Sequence, residues 1–120
     1  MTSTQRSKCA SIIHTCAATV AVVNVIPVPG VGAAADVATL ATMAVKLAGV
    51  FGKSITTSMA KALATAALGR QAAKIVVKEI LKFIPFLGWL AAPAISAGTL
   101  EASGWTIANS MASGNFYSLA

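Results

Sequence analysis

Proline and glycine punctuate this chain so regularly that only one kind of element fits between them. Ile26-Pro27-Val28-Pro29-Gly30, Gly52, Gly69, Ile84-Pro85-Phe86-Leu87-Gly88 and Gly114 divide it into five stretches. Ala is scattered through all of them and period-two alternation is rare, so strands have little support. Proline cannot continue a helix and pushes the residue before it to extended backbone, while glycine is a natural C-terminal stop. Helices are expected from about Ser7 to Val25, Ala33 to Val50, a Ser54 cap to Gly69, Arg70 to Phe83, and Trp89 to Ala112, the last bent near Pro93. The expected fold class is all-α: a compact bundle of about five helices in one domain, residues 1–120. Its two Pro-Gly corners, at Pro27, Pro29 and Gly30 and again at Pro85 and Gly88, share the frame I-P-x-x-G.

Such a bundle has an unusual surface. Hydrophobic residues make up 57% of the chain and charged residues 10%, where about 25% charged is ordinary. A domain this small leaves much of its area uncovered, so an apolar surface must meet a bilayer or another subunit. Nine Lys and Arg stand against Asp36, Glu79 and Glu101, a balance that attracts nucleic acid or anionic lipid. Nucleic-acid binders interleave basic residues with stacking aromatics. Here Phe83, Phe86 and Trp89 sit in apolar surroundings, so a lipid membrane is the expected partner and nucleic acid is not.

The strongest charge pattern lies on the fourth stretch. Arg70, Lys74, Lys78 and Lys82 recur every four residues and sweep about 120° of one helix face at ~100° per residue. Val76, Ile80, Phe83 and Ile84 lie opposite. This describes a basic amphipathic helix lying in the headgroup region, with Arg70, Lys74, Lys78 and Lys82 on lipid headgroups. Phe83, Phe86, Leu87 and Trp89 are the candidates for apolar insertion. The uncharged run from Cys9 to Pro29 barely reaches the ~20 residues of a membrane span, and Arg6 and Lys8 would hold its start at the cytoplasmic face. Attachment is therefore expected at that face, integral or peripheral. The same N-terminal features imitate a secretory signal ending at Ala33-Ala34-Ala35, but Pro27, Pro29, Gly30 and Gly32 interrupt it.

Chemistry has little to work with. The sole histidine, His14, has no carboxylate near it in sequence to orient it as a base. The three acids are isolated from one another. Cys9 and Cys16, seven apart, would be about 10 Å apart along one helix, too far for a disulfide. With His14 they lack a fourth ligand, so they read as small buried hydrophobes, suited to a reducing compartment, and no metal or cofactor is expected. Neither Gly30-Val31-Gly32 nor Gly49–Lys53 completes a phosphate-binding frame. The expected answer is a non-enzyme. Ala94, Gly98 and Ala102 instead form a small-residue stripe for close helix packing, which suits a homo-oligomer; Ala34, Ala38 and Thr42 form another.

The corners carry one resemblance. Ile26-Pro27-Val28-Pro29-Gly30, Ala35-Asp36-Val37 with Leu40, and Phe51-Gly52 are followed in order by Lys82-Phe83-Ile84-Pro85-Phe86-Leu87-Gly88 and Ala94-Ile95-Ser96-Ala97-Gly98-Thr99. The pattern, over about residues 10 to 112, resembles the C-terminal helical region of the immunity-related (interferon-inducible) GTPases and a related bacterial GTPase-associated domain. The resemblance implies membrane attachment and a separate GTPase partner. It implies no GTP hydrolysis, since no G domain is present. The leading expectation is a non-enzymatic membrane-binding or membrane-inserted module. Two alternatives share its physics: a cationic pore-forming or bacteriocin-like toxin, and a self-assembling structural protein.

Overall fold

The computed structural model describes residues 1–25, 30–81 and 87–114, and they form an all-α bundle of five helices. Helix α1 spans Ser3–Val23, α2 Val31–Val50, α3 Thr57–Gly69, α4 Ala72–Leu81 and α5 Leu87–Ala112. Among the described residues there is no strand. Helix α5 is the hub, packing against each of the other four.

The helix ends depart from expectation for local reasons. Helix α1 starts before Ser7 because Thr2 and Gln5 close a reciprocal capping box, which satisfies two otherwise orphaned backbone donors. Thr56 caps α3 by accepting from the Met59 N–H at 3.1 Å, so Ser54 lies outside the helix. Gly30 begins α2 at φ +90°, and Gly52 follows its C-cap at φ +69°. Only glycine adopts such angles without steric penalty. Pro27, Pro29 and Pro85 lie outside the described residues. Gly88 falls within α5, so the second corner ends earlier than the I-P-x-x-G frame suggests, and α5 continues through Pro93.

Four helices build the core. Cys9, Ile13, Cys16 and Val20 line one face of α1, and Leu40, Met43 and Leu47 one face of α2. Leu63 and Leu68 enter from α3, and Leu100, Ile107 and Met111 from α5. The closest approach is at Gly104, where an added Cβ would stand 2.8 Å from Met43 Sδ and 2.9 Å from Ile13 Cγ1. Gly104 thus makes a close small-residue contact inside the bundle. Gly98 is exposed, with no atom within 4 Å of where a Cβ would stand, and Ala94 is exposed beside it while Ala102 is half-buried. Helix α4 differs from the rest. Among its described residues the one fully buried side chain is Lys78, and only Ile75 packs partly on the core.

Candidate functional site

Helix α4 is turned with its polar face inward. At ~100° per residue, Gln71, Lys78, Ile75 and Glu79 share one side, and all four are buried or half-buried. Ala73, Val76, Val77 and Ile80 take the other side, at the i, i+3, i+4, i+7 spacing of an apolar stripe. In a soluble helix that stripe would face the core. Here it faces outward: Val76 is 56% exposed, Val77 50% and Ile80 57%.

A buried polar cluster explains the orientation. The Lys78 ammonium donates to Asp36 Oδ2, and both side chains are essentially inaccessible. Ser96 donates to Asp36 Oδ1. Asn24 Nδ2 lies 3.2 Å from Asp36 Oδ1, 2.9 Å from Ser96 Oγ and 2.8 Å from the Val20 carbonyl. Glu79 Oε1 stands 3.4 Å from Lys78 Nζ, and its Oε2 accepts the Gly30 N–H at 2.9 Å. The group joins the C-cap of α1 with α2, α4 and α5. A buried charge is tolerated when paired and hydrogen-bonded, and strongly unfavourable otherwise. Once Asp36 faces the interior, Lys78 must follow it, and the apolar face of α4 is left outside.

This corrects the reading of the basic row. Lys78 does not meet headgroups, because its ammonium is held inside by Asp36. Arg70 and Lys74 are exposed beside the outward apolar stripe. Lys82, Phe83 and Phe86 lie outside the described residues; Leu87 and Trp89 fall in the first turn of α5. The apolar surface that α4 turns outward is therefore Ala73, Val76, Val77 and Ile80. Sequence reasoning placed Val76 and Ile80 opposite the basic residues but did not single them out.

Two apolar grooves with basic edges open on the surface. One, of about 480 Å³, runs between α4 and α5, with Ala73, Lys74 and Val77 facing Ala94, Ile95 and Gly98. The other, of about 500 Å³, runs between α2 and α3, with Val37, Ala41 and Val45 near Lys46 and Lys61. Helix α2 also contains Gly32–Val50, apolar and long enough to cross a membrane, although a third of it is buried in the bundle. Core helices of soluble proteins share that property, so length alone assigns no span.

The fold also brings His14 and Glu101 together, 87 residues apart, as a hydrogen-bonded pair. The imidazole is largely exposed, and Glu101 is its only hydrogen-bond partner among the described residues. Burial pushes the Cys9 thiol above its ordinary value, partly offset by the Arg6 guanidinium. It raises Cys16 likewise, partly offset by Lys46. Raised thiols are poor nucleophiles, and no group of three metal-ligating side chains occurs among the described residues. No protein-family model matches this chain, and no curated protein or solved structure shows significant similarity to it.

Proposed function

We propose that this chain is a non-enzymatic module that binds the surface of anionic membranes through the outward face of α4. The observation that carries the reading is the inversion of that helix. Val76, Val77 and Ile80 stand half or more exposed on one face while Lys78 occupies the interior. Inserting the exposed half of each such side chain contributes about 1 kcal/mol, taking half of full burial. Arg70 and Lys74 flank the stripe where headgroups would lie, each adding about 1 kcal/mol. The second basic-edged surface, at Lys46 and Lys61, can meet the same kind of membrane. A separate GTPase is the partner suggested by the sequence resemblance alone.

Co-sedimentation with vesicles, with and without phosphatidylserine, tests the reading. Wild type should pellet with anionic vesicles and be released by salt. Val76→Asp with Ile80→Asp should stay in the supernatant while remaining folded, because both positions are exposed. Arg70→Gln with Lys74→Gln should lose more than tenfold in partition, from about 2 kcal/mol at 1.4 kcal/mol per decade. Equal recovery of wild type in the supernatant with and without vesicles refutes the proposal. Release of entrapped dye on binding would replace it with the toxin reading.

A further inference from the structure

The groove between α4 and α5 has the chemistry of a ligand site. Its volume, about 480 Å³, lies within the range of small-molecule pockets. Ala73, Val77, Ala94, Ile95 and Gly98 make it apolar, and Lys74 is the one charged residue among those described as lining it. Thr99 lines it as well. That residue is 1% exposed, and its hydroxyl has no hydrogen-bond partner among the described residues. Buried hydroxyls are almost always paired, and an orphan calls for an explanation. An apolar groove whose described lining has one ammonium, one hydroxyl without a described partner and no carboxylate complements an aliphatic chain ending in an anion. A groove of about 480 Å³ is large enough to take one such chain.

We propose that the α4–α5 groove binds one long-chain fatty acid. Its tail lies along Val77, Ala94, Ile95 and Gly98, and its carboxylate accepts hydrogen bonds from the Lys74 ammonium and the Thr99 hydroxyl. The site goes beyond the membrane reading and does not depend on it. It shares Lys74 and Val77 with the membrane-facing surface, but Gly98 and Thr99 belong to the groove, and Val76 and Ile80 are not among its described lining residues.

Fluorescence titration of the full chain with dansyl-undecanoic acid, below its micelle concentration, tests the site. Saturable binding of one molecule per chain is expected. Competition should show the alcohol and the alkylammonium of equal length to be at least about tenfold weaker, since a charge-assisted bond is lost or reversed. Lys74→Gln should weaken binding about tenfold for the same reason. Gly98→Leu should abolish it by filling the slot; nothing stands within 4 Å of that Cβ position, so a retained helical spectrum and melting point are expected. Thr99→Val should weaken binding several-fold without lowering the melting point, because it removes a hydroxyl that has no partner among the described residues. Absent saturation, many molecules bound per chain, unaltered binding by Gly98→Leu, or equal affinity for the alkylammonium would each overturn the site. Gly98→Leu should still sediment with vesicles and Val76→Asp with Ile80→Asp should still bind the fatty acid, so the two proposals fail separately.

Discussion

Replacing Lys78 with Met removes the one buried cation among the described residues and keeps the side chain's length. Asp36, 1% exposed, would then be left in the interior without its cation, with Asn24 and Ser96 as its donors among the described residues. Glu79 would lose the ammonium 3.4 Å from its carboxylate. Breaking a buried pair from one side typically costs 3–5 kcal/mol. The two remaining donors to Asp36 soften the loss and the second carboxylate deepens it, so about 4 kcal/mol is expected. Small domains have only about 5–15 kcal/mol in total. At a urea slope of about 2 kcal/mol per molar, the unfolding midpoint should fall by about 2 M, read by far-ultraviolet circular dichroism. Asp36→Leu added to Lys78→Met should recover most of the loss, since Asn24 keeps Ser96 Oγ and the Val20 carbonyl as acceptors. The coupling energy should exceed about 2 kcal/mol. A loss under about 1 kcal/mol for Lys78→Met, or additive losses in the double variant, would refute the claim that this pair orients α4.

Other substitutions probe the packing. Gly104→Ala should destabilise by about 1–3 kcal/mol through overpacking against Met43 and Ile13. Gly98→Ala, with open space around it, should stabilise by about 1 kcal/mol from helix propensity; both are read by urea unfolding. Ser103 carries a buried hydroxyl without a partner among the described residues. Ser103→Ala should therefore raise the melting temperature, by an amount equivalent to about 1 kcal/mol. Cys9 and Cys16 have folded-state values raised above 9.0. The unfolded chain thus loses these protons first as pH rises, and the stability they contribute, complete below the unfolded value, declines through the folded one. The melting point should fall as pH rises past about 8.5, the free thiol value, and Cys9→Ala with Cys16→Ala should flatten that slope.

Five helices were legible because proline and glycine act through their own backbone, and no distant partner is needed to read them. The end of α2 at Val50 and the stop of α3 at Gly69 follow from that. The start of α1 is legible too, in the T-x-x-Q of Thr2 and Gln5, a capping box that lies ahead of Ser7. Asp36 and Lys78 are another matter. They lie 42 residues apart, and nothing in either local sequence marks one for the other. A row of basic residues four apart reads as one solvated or lipid-facing surface until something fixes which part of the sweep turns inward. Arg70 ends up as the C-cap of α3, before α4 begins, and on α4 itself Lys74 is exposed while Lys78, about 40° around at ~100° per residue, is buried. The His14–Glu101 pair was hidden in the same way, by sequence distance.

The inward turn of Lys78 also settles how the chain's charge is distributed. All three acids are engaged within the protein: Asp36 by Lys78, Ser96 and Asn24, Glu79 by Gly30 and Lys78, Glu101 by His14. Lys46, Lys61 and Lys74 remain exposed at the apolar grooves, and Arg70 is exposed just before α4. Part of the net charge of +6 is therefore carried at the surface beside the apolar residues that the proposed membrane contact uses. Those two attractions reinforce each other only when they share a face. In α4 they do so because a lysine was drawn inside. Had Lys78 remained outside, α4 would have placed Val76 and Ile80 in the core and shown a plain solvated face.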